Sequence, residues 1–231
     1  MIYFISMKSL ILLLFSAILS ISSYELAAQT KAVTEKGDTI FVYDNGTWSY
    51  ELEEIDDSFN DLDFLKLPLS IDTLTEGKKY PSSAKSEVRS KENGFVVRYD
   101  DKKWKRVPPG NLNAEADFAF ENKFVEIWCV VIAEESSFSP DNLFRIAKMT
   151  MEKNLDARTQ ILKTELVTVN GNKVLRGVVK ADVSGISFVF DSYYYSNELG
   201  SVQFTTWTSE NLWKKYESEI AELLNGFVAE Q

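Results

Sequence analysis

Apolar residues in the second half of the chain follow two rhythms, and the switch between them lays out the elements. Phe95, Val97 and Tyr99 alternate in "GFVVRYDDKKWKRVPPG" and predict a strand, with Trp104 following a polar turn. "AEADFAFENKFVEIWCVVIA" predicts two strands joined near Glu121-Asn122-Lys123. In the second, Val125, Ile127, Cys129 and Val131 share one face while Phe124, Trp128, Val130 and Ile132 share the other, so both faces are apolar, as in a central strand covered on both sides. The period then lengthens. In "SPDNLFRIAKMTMEKNL", Phe144, Ala147, Met151 and Leu155 recur at helical spacing behind Ser139 as N-cap, Pro140 in the first turn and Asp141 near the positive end of the dipole.

Runs at 161–169, 173–180, 185–195 and 200–208 return to strand character. They are broken at Asn170-Gly171, Ser184-Gly185 and Asn197 to Gly200, which predicts an antiparallel meander. The chain closes on a helix capped by Ser209 whose apolar face runs from Leu212 and Trp213 through Tyr216, Ile220, Leu223 and Leu224 to Phe227, stopped by Asn225-Gly226. Strands, helix, strands, helix around an antiparallel sheet make an α+β fold.

Upstream, "DTIFVYDNGTWSYEL" reads as a β-hairpin turning at Asn45-Gly46. Isolated hairpins are marginally stable, so this one is expected to dock on the main domain or to add its strand to a partner's sheet. Residues 53–79, opening on an acidic run, read as a linker; the run lacks the glycine and spaced oxygen ligands of a helix-loop-helix calcium site. Residues 1–28 have the layout of a secretory signal peptide: Lys8, an apolar run from Leu10 to Ile21, and small residues at Ala27 and Ala28. The Met7-Lys8 pair reads as the better start. That apolar run is short of the roughly 20 residues a spanning helix needs, so no stable membrane insertion is expected after cleavage. The expected division is a signal peptide to residue 28, a hairpin unit at 29–52, the linker, and a main domain at 80–231.

Composition then narrows the chemistry. About 200 residues remain after cleavage, enough for one well-buried domain and a small appendage. The chain is 45% hydrophobic and 13% aromatic, so it can build a core. Its one cysteine, Cys129, reads as a small buried hydrophobe, and export without disulfides points to a bacterial protein relying on its core. A net charge of −10 without a basic patch disfavours nucleic acid as a partner.

There is no histidine, which removes Ser-His-Asp and Cys-His catalysis and the histidine-containing zinc sites. No cofactor motif and no metal site is predicted. Carboxylate pairs remain chemically competent for glycoside hydrolysis, but Glu134-Glu135 point to opposite faces of a strand, and Glu53-Glu54 and Asp56-Asp57 lie in the acidic stretch. The aromatic density of "SYYYSNELGSVQFTTWT" is the remaining candidate. With the faces holding Phe188 and Phe204 assigned to the core, Tyr193, Tyr195 and Trp207 fall on mixed faces and are the candidate ligand- or partner-binding residues, since Tyr and Trp bury area while keeping a polar handle; the alternative is that the helices cover these rings.

The opening "FVVRYDDKKW", the paired strands through "FVEIWCVVIAEE", the "VNGNKVLRGVV" turn and strand, and the aromatic hairpin leading into the last helix together resemble the PsbP/Mog-type fold over residues 80–228. The leader, the "DNGTW" hairpin and this domain are also similar to exported proteins of the Bacteroidetes type. The resemblance implies an α/β/α sandwich with a central antiparallel sheet. Its relatives are mostly non-enzymatic binding or accessory proteins: photosystem assembly subunits, a partner of the Ran GTPase, and bacterial envelope proteins. It carries no set of functional residues onto these positions. The expectation is an exported, non-enzymatic binding or accessory protein of the bacterial envelope, periplasmic or extracellular, holding an envelope protein or a small ligand. The alternative is a carboxylate-dependent glycan hydrolase.

Overall fold

The computed structural model describes the backbone of residues 30–33, 39–42 and 48–49, and residues 69–90 and 93–230 in full. The predicted signal peptide and most of the predicted linker lie outside the described residues. The chain forms two compact units, one within residues 19–67 and one running from Pro68 to the end. In the first, β1 (Thr30–Val33), β2 (Thr39–Val42) and β3 (Trp48–Ser49) form an antiparallel sheet in that order. β2 and β3 are the two arms of the hairpin read from the sequence, and β1 adds a third strand. The Asn45-Gly46 turn lies outside the described residues.

In the larger unit, β4 (Asp72–Thr73), β5 (Ser86–Arg89), β6 (Phe95–Tyr99), β7 (Trp104–Val107), β8 (Phe118–Asn122) and β9 (Trp128–Glu134) precede helix α1 (Pro140–Leu155). After it come β10 (Thr159–Val169), β11 (Asn172–Val183), β12 (Ile186–Asn197), β13 (Gly200–Ser209), helix α2 (Glu210–Leu224) and β14 (Phe227–Ala229). Eight strands form the main sheet in the order β4-β10-β11-β12-β13-β9-β8-β7. Every pair is antiparallel except β4 with β10. The predicted meander is β10 to β13. Its first turn has Asn170 and Gly171 at φ 50° and 90°, the left-handed pair a two-residue hairpin demands. The Asn170 amide also donates to the carbonyls of Asn225 and Phe227, each at 2.7 Å, and so ties this turn to the end of α2 and the start of β14.

The two helices lie on opposite faces of the sheet. Phe144 of α1 meets Tyr194 edge-on, with ring centroids 5.6 Å apart, and Trp213 of α2 donates to Asp191. Residues 191 and 194 differ by an odd step along one strand, so their side chains leave opposite faces. α1 sits so close to β11 that a Cβ on Gly177 would stand 2.6 Å from the Phe144 ring.

Several expectations need correction. The strand at Phe95, whose place in the strand order the sequence left open, lies in a second sheet, β14-β6-β5, which closes over the α2 side through Phe95, Val97 and Phe227. Phe227 is therefore a strand residue rather than the last of a helical face. The chain leaves α2 through Gly226, where a Cβ would lie 1.9 Å from the Arg98 carbonyl, so only glycine permits the approach. The second strand of its pair begins at Trp128, not Phe124, and Phe124 is 77% exposed in the preceding turn. Ser139 and Ser209 occupy the N-cap positions, but neither side chain makes a capping bond. Residues 72–78, read as linker, pair with the outer strand: β4 lies beside Glu165 and Leu166, and Lys78 bridges to Val169.

Candidate functional site

The predicted aromatic trio does not form one surface. Counting from the turn at Glu198-Leu199, the β12–β13 register sets Tyr193 opposite Phe204 and Phe190 opposite Trp207. Tyr193 and Tyr195 therefore face α2, while Trp207 faces the α1 side and stacks on Trp128 with ring centroids 6.2 Å apart. Trp207 and Tyr193 are buried, and Tyr195 is half-buried against Phe227. The assignment fails at one step: Phe188 and Phe204, taken together as core markers, lie on opposite faces, so the trio is divided by the sheet. Burial pushes the phenols of Tyr193 and Tyr194 up, that of Tyr194 to about 12, so neither ionises near neutral pH.

Beneath α2 the structure gathers a charged network. Arg176 of β11 donates to Asp191 of β12 through Nε at 2.9 Å and Nη2 at 2.6 Å, a bidentate pair whose carboxylate is fully buried. Glu165 lies 3.3 Å from Nη1, Glu217 of α2 lies 3.4 Å from Nη2, and Lys163 binds the same Glu217 oxygen at 2.8 Å. The Trp213 indole donates to Asp191 at 3.1 Å, and the Tyr193 hydroxyl donates to Asn225 at 2.8 Å. Burial works against the Arg176 charge, but the Asp191 bond outweighs it and holds the guanidinium above its ordinary pKa. With both members of the pair occupied by each other, this network fastens α2 to the sheet and presents no reacting atom.

A cavity of about 500 Å³ opens elsewhere, between the small sheet and the β7–β8 end of the main one. It is lined by four successive residues of β5, Glu87 to Ser90, and by Arg106, Asp117 and Phe118. That volume is in the range of small-ligand sites. Side chains of neighbouring strand residues point to opposite faces, so a cavity lined by four in a row abuts the edge of β5 rather than a face. Its walls are electrostatically settled with one exception. Glu87 pairs with Arg89 and Arg98, Arg89 also pairs with Glu230, and the Asp117 carboxylate accepts the Ala133 N–H at 2.8 Å. The Arg106 guanidinium rests 5.4 Å from the centroid of the Phe118 ring and meets no carboxylate among the described residues.

No group of three potential metal ligands occurs among the described residues. Glu134 has its carboxyl raised, by burial first and by Glu115 second, yet it does not line the cavity. Sequence reasoning missed both the Arg176–Asp191 pair and the cavity. The pair was within reach: from Ser184-Gly185 the register sets Asp191 diagonal to Arg176. The cavity was not, because β5 joins β7 and β8 only through tertiary packing.

No family model and no curated protein matches the chain in sequence. Solved structures do match in fold. The cyanobacterial PsbP protein, CyanoP, of Synechocystis sp. PCC 6803 is 12% identical, with 68% of this chain and 98% of that one covered at a TM-score of 0.50. LpqN of Mycobacterium tuberculosis, described as involved in cell envelope biogenesis, is 11% identical over 63% of this chain and 90% of its own, with a TM-score of 0.44. PA94 of Pseudomonas aeruginosa, of unknown function, is 11% identical over 63% and 97%, with a TM-score of 0.40. No described helix is long and apolar enough to cross a membrane. The antiparallel sheet carrying one helix on each face, matched over nearly the whole of CyanoP, has the PsbP-like fold.

Proposed function

We propose that the chain is an exported, non-enzymatic binding or accessory protein of the bacterial envelope, and that it holds its partner in the cavity beside β5. The observation that carries this reading is the cavity itself: a concavity of ligand-site volume, set against a strand edge, with an arginine that meets no carboxylate among the described residues. The predicted leader supports export. The fold shared with CyanoP adds only analogy, since one fold hosts many functions.

The test is cell fractionation of the source bacterium followed by capture with the full chain from its own envelope extract. The reading expects the protein outside the cytoplasm and a saturable envelope partner whose capture weakens in R106Q. Retention in the cytoplasm, or turnover of a glycan that disappears on substitution of one carboxylate, would contradict it.

A further inference from the structure

The cavity beside β5 carries more than a location, because the backbone of that strand is turned towards it. The Ser90 N–H donates to the Phe95 carbonyl at 2.9 Å, so Ser90 faces β6. In an antiparallel pair the residues that bond inward alternate with those that bond outward, so Val88 and Ser86 also face β6. On the other side of β6 the Arg98 N–H donates to Gly226, the alternation this arrangement requires. Glu87 and Arg89 are left with their N–H and C=O groups directed out of the sheet. β5 is the outer strand of β14-β6-β5, and no strand pairs with that edge among the described residues.

From this edge, the cavity against it and an Arg106 that meets no carboxylate among the described residues, we infer that the site takes an extended peptide segment of a partner protein. The segment adds to β5 as a further strand and places an Asp or Glu side chain on the Arg106 guanidinium. Main-chain pairing to Glu87 and Arg89 supplies affinity with little sequence demand, and the arginine supplies selection. Charge decides the class of side chain: every other ionised group lining the cavity among the described residues already has a partner, so an incoming carboxylate gains Arg106 while an incoming cation meets there only Glu87 and Asp117, both occupied. The Phe118 ring beneath Arg106 holds the guanidinium plane in place. The inference rests on the binding-protein reading proposed above and adds the class of partner.

The probe is a library of random octapeptides with acetylated and amidated ends and one fixed central Asp, beside a library with Asn in its place. Binding to the full chain is followed by amide hydrogen exchange and by titration. The Asp library is expected to slow exchange at Glu87 and Arg89 and to bind at least roughly tenfold more tightly than the Asn library, the difference vanishing in R106Q, which changes only an exposed side chain. R89P, which removes an outward N–H without breaking a bond to β6, is expected to weaken both libraries alike. Unchanged exchange at Glu87 and Arg89, or equal binding by R106Q, overturns the inference. So does a dimer of the full chain that R89P dissociates, which would make the occupant a second copy. If the inference fails while an envelope partner is still captured equally by wild type and R106Q, the binding-protein reading survives with its site elsewhere.

Discussion

At the scale of single residues, the fold depends on a few polar groups held where water does not reach. Asp191 is fully buried and is matched by Arg176 and Trp213. Removing one member of such a pair leaves an uncompensated charge, so D191N is expected to cost about 3–5 kcal/mol in urea denaturation. The double substitution R176M/D191L is expected to recover most of that loss, and a D191N cost under about 1 kcal/mol would show that the pair is solvated. Two glutamates should respond to pH in opposite senses. Burial alone would raise the Glu217 carboxyl, but Lys163 and Arg176 outweigh it and hold it below its ordinary 4.5. A lowered folded-state pKa adds stability above the unfolded value that is lost as pH falls through the folded one, so E217Q should lower the Tm at pH 7 and the gap should close in acid. Glu134 is raised by burial and by Glu115, so its ionised form costs stability at neutral pH. E134Q should therefore raise the Tm at pH 7, with the gain fading as pH falls through the raised folded pKa and Glu134 takes up its own proton.

At the scale of elements, local pattern predicts what local forces decide. The meander and both helices were legible because turn residues and apolar spacing are short-range signals: Asn170-Gly171 and Ser184-Gly185 carry the positive φ angles that the sequence implied. Strand pairing is what the sequence leaves open. Phe95, Val97 and Tyr99 read as a strand, but nothing in them says which sheet, since that depends on β14 returning through Gly226 more than a hundred residues later. Tyr193 and Trp207 were misjoined because alternation gives two faces per strand, while the register across the turn decides which faces match. The seating of α1 on the sheet is likewise invisible in sequence. Gly177 lies mid-strand, where Ala would ordinarily be the better residue, yet an added methyl meets the buried Phe144 ring. G177A is expected to cost about 1–3 kcal/mol by overpacking, and F144L in the same chain to relieve part of it, giving a coupling well above the additive error. A neutral or stabilising G177A would mean that α1 shifts freely over β11.

At the scale of the whole molecule, composition and resemblance point in a direction but mark no site. Its composition and missing histidine narrow the chemistry, and the resemblance it carries agrees with the fold shared with CyanoP. The cavity arises where two sheets meet, so no single run of residues could announce it. The binding account makes that junction the working surface and leaves the aromatic hairpin as core. Photo-crosslinking in the source organism tests this most directly, with a benzophenone amino acid placed at position 87 on the cavity edge or at Ile186, exposed at the β11–β12 turn. One discrete adduct with an envelope protein is expected from position 87 and none from 186. No adduct from 87, or the same adduct from both positions, would contradict it.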